Sequence, residues 1–169
     1  MANPLFEFDP VTHITAGALG EPGHRTFYIQ AERGLDRLTL LCEKEQVLAL
    51  AEAIDEMLGN LEKEFNLARK EEVTFDEVEM TIKEPVDPVF RVGSMGLGYD
   101  ADRDRILLVA QELLAEDEQR DPQEVRLFAD REKMQVLGAY ARAVVEKGRP
   151  PEIRALQAEA FFRRNGHGD

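Results

Sequence analysis

The sequence predicts an α+β fold: a duplicated four-strand-plus-helix unit, giving two antiparallel sheets and two main helices about a pseudo-two-fold axis. Three observations predict it. First, the chain repeats itself: Glu43-Lys44-Glu45-Gln46-Val47-Leu48 returns as Glu132-Lys133-Met134-Gln135-Val136-Leu137. Upstream of each copy, in the same order, Thr15-Ala16-Gly17-Ala18-Leu19-Gly20 answers to Arg91-Val92-Gly93-Ser94-Met95-Gly96. Arg25-Thr26-Phe27-Tyr28-Ile29-Gln30 likewise answers to Arg105-Ile106-Leu107-Leu108-Val109-Ala110. Second, in each half the apolar period changes from two, the strand period, to 3.6, the helix period. Third, short turns join the apolar runs, and strands joined by short turns pair antiparallel.

The elements follow in order. Residues 5–8 alternate and form a short strand, ended by Asp9-Pro10 because proline cannot continue a ladder. Residues 13–20 form a second strand, weakened by Gly17. Glu21-Pro22-Gly23-His24 is a tight turn, with proline presetting φ and glycine accepting a positive one. Residues 25–32 are a strand with Phe27, Ile29 and Ala31 on one face and Thr26, Tyr28 and Gln30 on the other. Arg33-Gly34 turns the chain into a fourth strand, residues 38–42. A helix then opens near Glu43 to Glu45, with Val47, Leu50, Ala51, Ile54, Met57, Leu58 and Leu61 recurring at helical spacing. Gly59-Asn60 is a place for it to break or kink.

The second unit is expected to open with a strand at residues 77–83, followed by strands at 89–99, 105–114 and 124–129. Asp130 can cap the next helix by accepting an orphan N–H. That helix carries Met134, Leu137, Ala141, Val144 and Val145 on one face, and Gly148 with Pro150-Pro151 ends it. Residues 1–148 are thus expected to be one domain of two repeats, 5–70 and 73–148, and residues 149–169 a partly helical tail.

Composition bounds the chemistry. The net charge of -13 repels phosphate backbones unless basic residues are segregated. One cysteine, Cys42, permits neither an internal disulfide nor a thiolate cluster for zinc. The N-terminus lacks a signal-peptide pattern and no apolar run reaches membrane-spanning length. The expected setting is cytoplasmic, with no membrane partner and no cofactor.

Motifs that suggest chemistry have plainer readings. Gly93-Ser94-Met95-Gly96-Leu97-Gly98 has the wrong spacing for a dinucleotide loop, and a strand rather than a helix contains it. His13, His24 and His167 have no partners at metal spacing. Asp100-Ala101-Asp102-Arg103-Asp104 lacks the glycine of a calcium loop and reads as a hairpin turn. Cys42 reads as a buried structural thiol. No metal site is expected.

The candidate ligand-binding residues are Glu21, Arg25, Tyr28 and Gln30 on the first hairpin, with Glu43 and Lys44 at the helix start. Arg25 is the anchor, because a guanidinium makes planar, bidentate contacts with carboxylate or phosphate. The helix N–H groups behind Glu43 and Lys44 can add to an anion site.

The runs Glu21-Pro22-Gly23-His24-Arg25-Thr26-Phe27-Tyr28-Ile29-Gln30, Glu43-Lys44-Glu45-Gln46-Val47, Phe90-Arg91-Val92-Gly93 and Gly148-Arg149-Pro150-Pro151 resemble an uncharacterised bacterial family, domain of unknown function 3090. The resemblance covers nearly the whole chain and implies no activity. Many relatives end in a cysteine-rich knuckle, which residues 152–164 lack. The element order also looks like that of Whirly-type single-strand nucleic-acid binders, an analogy of topology. No catalytic constellation is legible. The expected function is therefore that of a non-catalytic binding or adaptor protein acting through a protein partner. The alternatives are a Whirly-like nucleic-acid module and an enzyme with an unrecognised anion site. Nucleic acid is disfavoured by the charge and by the absence of tryptophan. Oligomeric state is not legible.

Overall fold

Alternating side chains shape the strands of the chain, and a computed structural model describes residues 4–147. In chain order these hold β1 (Phe6–Phe8), β2 (His13–Leu19), β3 (Thr26–Arg33), β4 (Asp36–Cys42), α1 (Lys44–Phe65), α2 (Glu77–Met80), β5 (Phe90–Asp100), β6 (Arg105–Glu112), β7 (Glu124–Ala129) and α3 (Arg131–Lys147). The fold is mixed α+β. Among the described residues no helix is long and apolar enough to cross a membrane.

The strands make one seven-stranded sheet in the order β1-β7-β6-β5-β4-β3-β2. Hairpin neighbours pair antiparallel, whereas β4–β5 and β1–β7 pair parallel. The parallel β4–β5 pair is permitted by the long connection that includes α1. The order sets β1 and β2 at opposite edges, although only residues 9–12 join them. A flat sheet of this width separates its edge strands by roughly 29 Å, and a link this short spans at most about 18 Å. The sheet must therefore curl. Consecutive residues of the link bridge its two sides: Val11 N–H donates to Phe128 O at 2.8 Å, and Thr12 N–H to Glu32 O at 2.7 Å.

The concave face holds the core. Ile29, Leu40, Ile106, Leu108 and Leu127 are fully buried there, and α1 and α3 pack on each other across it. Each helix buries one stripe: Val47, Leu50, Ala51, Ile54, Leu58 and Leu61 on α1, and Met134, Leu137, Gly138, Ala141, Val144 and Val145 on α3. Asp130 caps α3 as expected, its Oδ1 accepting from Lys133 N–H at 2.7 Å.

The convex face of β2-β3-β4 is covered by residues 66–89, which run as a belt. The belt passes α3, where Phe75 and Tyr140 stack edge to face with ring centroids 5.0 Å apart. It then crosses the sheet. Thr15 Oγ1 donates to Met80 O at 2.6 Å, and Gln30 both donates to Lys83 O and accepts from Lys83 N–H, each at 2.9 Å. Ile82 lies over Gly17, where a Cβ would stand 2.2 Å from its Cγ1. Glycine is therefore required at position 17 by the close approach of the belt.

Four sequence expectations are corrected. There is one mixed sheet, not two antiparallel ones. A pseudo-two-fold pair of sheets is likewise not supported, because the parallel pair β4–β5 joins the triplets β2-β3-β4 and β5-β6-β7 into that one sheet. Residues 77–83 form α2 and part of the belt, not a strand. Nor does α1 break at Gly59-Asn60; it continues to Phe65, where Asn66 adopts the left-handed conformation that closes it.

The duplication is not supported either, and the helix caps show why. Counted from the preceding residues Glu43 and Asp130, Val47 matches Met134, Leu50 matches Leu137 and Ala51 matches Gly138, all of them buried. The repeated hexamer is displaced two residues from that alignment, about 200° around a helix. Its like letters therefore do unlike jobs. Val47 is buried and Val136 only half so. Gln46 Nε2 donates to Val92 O, and Gln135 Nε2 to Lys70 O in the belt. The predicted tail, residues 149–169, lies outside the described residues.

The acidic loop between β6 and β7 is pinned by Glu112, which accepts from Arg120 Nη1 at 2.6 Å, Arg120 Nη2 at 2.8 Å and Gln123 N–H at 3.0 Å. The Arg120 bonds foremost hold the Glu112 carboxyl at about 2, below its ordinary 4.5. Because the folded value is the lower one, the contribution is complete above pH 4.5 and is lost as pH falls through about 2. Hydrogen exchange should show Gln123 losing amide protection over that window, and Glu112→Gln should remove the pH dependence. A Gln123 amide that titrates identically in both proteins would count against this pinning.

Candidate functional site

Three cations meet where β3 begins and β4 hands over to α1. Arg25 precedes β3 and has the parity of Phe27, which faces the core, so its side chain lies at the concave end of the hairpin. Lys44 is the first residue of α1. Arg91 enters through the long-range parallel pair Leu41↔Arg91. All three line a concavity of about 450 Å³ together with Glu43, Glu45 and Cys42.

Their partners differ. Arg91 Nη1 is paired with Glu43 Oε1 at 2.7 Å, with both side chains about half exposed or more. Glu43 N–H donates to Gln46 Oε1 at 2.8 Å, which fixes the first turn of α1. Arg25 is half-buried and makes no ion pair among the described residues, and its Nε is buried without a hydrogen-bond partner. A buried donor left unsatisfied is costly, and an incoming acceptor relieves that cost. Three cations against two carboxylates, at the N-terminus of a 22-residue helix, leave the site locally positive on a chain of net charge -13.

Of the six residues proposed from sequence, the fold brings Arg25, Glu43 and Lys44 together. Glu21 is exposed in the turn, its carbonyl accepting from His24 N–H at 2.9 Å. Tyr28 lies half-buried on the convex face between Gly17 and Leu41. Gln30 is 1 % exposed, and its amide is consumed by Thr39 Oγ1 and the belt. These three do not line the concavity. Arg91 was missed as a site residue, although it stands inside one of the family-like runs.

The thiol beside these cations is not a nucleophile. Burial foremost pushes Cys42 up to about 12, so it is protonated at neutral pH. Among the described residues no group of three or more His, Cys, Asp or Glu is placed to hold a metal ion. A second concavity, of about 380 Å³, lies between His13, Glu79, Asp130 and Lys133. His13 Nε2 is buried there without a partner, and desolvation foremost, then Lys83, lowers its pKa. That histidine is neutral at physiological pH, and three carboxylates, of Glu79, Asp130 and Glu132, surround the opening.

The family model described as "Protein of unknown function (DUF3090)" matches residues 6–154. No curated protein and no solved structure matches the chain.

Proposed function

The chain belongs to the DUF3090 family of unknown function, and from the geometry of its site we propose that it is a non-catalytic binding protein that recognises an anionic group on a protein partner. One observation carries this: the Arg25 guanidinium, without an ion pair among the described residues and with a buried, unsatisfied Nε, opens into a concavity shared with Lys44 and Arg91. A guanidinium held on the end of a paired strand is pre-organised for a carboxylate or phosphate. Thiolate catalysis at this site is disfavoured, since the Cys42 thiol lining it stays protonated. The proposed setting is the cytoplasm, consistent with a single free cysteine.

Affinity purification from the native cell, comparing the natural chain with Arg25→Ala, tests the reading. Loss of specific partners from the variant is the expected result, and retention of the same partners would remove it. Inorganic phosphate should also shift the amide resonances of Lys44, Glu45 and Gln46, the first turn of α1.

Single-stranded DNA should not bind tightly at physiological salt. Counterion release needs several clustered cations, and this cluster holds three, one of them already paired with Glu43. A salt-dependent complex of micromolar affinity or tighter in a titration would promote the nucleic-acid alternative instead.

A further inference from the structure

A second groove begins beside the cationic concavity: the lining of the first ends at Glu45 and Arg91, and that of the second starts at Gln46 and Gly93. Beyond Leu41↔Arg91, β4 leaves the sheet and α1 begins, so β5 continues without a neighbour on that side. β5 remains paired with β6 through Asp100↔Arg105, but among the described residues no strand pairs with its other edge past Arg91. Alternate backbone N–H and C=O groups along residues 93–98 therefore face an open side. Gln46 Nε2 donates to Val92 O at 3.0 Å and marks where the open stretch starts. Phe65 and Tyr99, with ring centroids 5.4 Å apart, close its far end.

The helix alongside is shaped for company. Gln46, Ala49, Leu50 and Ala53 recur at helical spacing and face Met95 and Leu97 across a groove of about 370 Å³. Ala49 and Ala53 are exposed despite being apolar. The strand itself carries Gly96 and Gly98, whose added Cβ atoms would meet nothing within 4 Å, and neither has a positive φ. Nothing among the described residues requires glycine at these positions. Glycine weakens a strand, and inside one it marks a bulge, a bend or the close approach of another backbone.

We infer that this groove accepts an extended segment of a partner protein, which adds as a strand to the open edge of β5 and seats an anionic end, such as a terminal carboxylate, among Arg25, Lys44 and Arg91. Strand addition draws affinity from main-chain hydrogen bonds and specificity from alternate side-chain pockets. The charge fixes the direction. The cations stand at the N-terminal end of β5, so a segment that ends there in a carboxylate runs antiparallel to β5. Residues 93–98 span roughly 20 Å, room for about five residues of a guest strand. Its inward side chains must be small or slender to fit over Ala49 and Ala53. The carboxylate end of this proposal rests on the binding reading above; the strand addition rests on the open edge.

The test uses the full-length protein and a random library of heptapeptides displayed with free C-termini. Binders should be enriched that carry small apolar residues at alternate positions. One of them, made synthetically, should bind and shift the amide resonances of residues 93–98. N-methylating its alternate residues should abolish binding in one phase and spare it in the other. Ala53→Arg, at an exposed helix position, should weaken it at least about tenfold with an unchanged melting temperature. Should that variant melt early, the N-methylated pair carries the test alone. A C-terminal amide and Arg25→Ala should each weaken binding as well. Binding that needs the carboxylate and Arg25 but ignores both N-methylation phases and Ala53→Arg would overturn strand addition while leaving the anion site standing. Binding that needs the edge but ignores the carboxylate and Arg25 would overturn the proposed anchoring and the anion reading with it. Failure to enrich any peptide overturns the proposal. So does a dimer in solution that protects residues 93–98 and is lost in Ala53→Arg, which would assign the edge to a second copy. Cross-links from this stretch to residues beyond 147 in the free protein would assign it to the chain's own C-terminal residues and equally overturn it.

Discussion

Leu137→Ala should destabilise the protein by roughly 2–5 kcal/mol. Leu137 is fully buried on the α3 stripe, and α3 packs against both α1 and the sheet. Truncation removes apolar contact on several sides at once, and the surroundings can collapse only partly. Gly138, the next residue, already brings Ile54 close, since a Cβ there would stand 3.3 Å from Ile54 Cγ2. The two helices therefore have little slack with which to close a cavity. The melting temperature should fall by roughly 6–15 °C for a domain of this size. A thermal melt within a degree of the natural protein would show that the helix interface is not the centre of the core.

Arg25→Ala should have the opposite signature. Its guanidinium has no ion pair among the described residues, and the substitution should leave stability within about 0.5 kcal/mol. Binding of the anionic partner should weaken by the worth of a charge-assisted hydrogen bond, roughly 1.5–3 kcal/mol, or on the order of 10- to 100-fold. Arg91→Ala should weaken it too, by a second route: it frees Glu43, now unpaired beside the ligand. Arg25→Lys should restore charge but not planar, bidentate geometry, and so should recover only part of the loss. Calorimetry on the three variants separates these effects. Equal affinities across the series would leave the concavity without a role.

Much of the strand pattern was legible because each strand buries one face. Residues 124–129 were bounded as β7 is, since Val125, Leu127 and Ala129 alternate with half-exposed neighbours. The same pattern misled at residues 77–83. Met80 and Ile82 are buried and Thr81 is exposed, which is strand-like alternation. The cause is not a ladder but an extended belt lying flat on the convex face. Periodicity reports which residues are buried, not what buries them. Gln30 failed for the related reason that a polar residue on a strand face looks available to ligand until something covers it. Arg25, Glu43 and Lys44 were legible because a short hairpin and a helix start are local. Arg91 was not, because only the pairing of β4 with β5, some 50 residues apart, brings it to Glu43. The repeated hexamer shows the converse hazard. Letters matched, yet the caps set them two positions out of step.

The short link between the edge strands bears on how the chain is assembled as it is made. Among the described strands β1 is the first synthesised and its partner β7 the last, pairing Phe6 with Val125. Nearly the whole described chain must exist before β1 can take its place. Contacts of such long sequence separation are slow to form, because loop-closure entropy is met before they give anything back. The triplet β2-β3-β4, built from local hairpins, can form while synthesis continues, with Phe6 and Phe8 waiting beside it. Closure of the curled sheet is then a late event, and until it happens the β7 edge stands open to any other strand in reach.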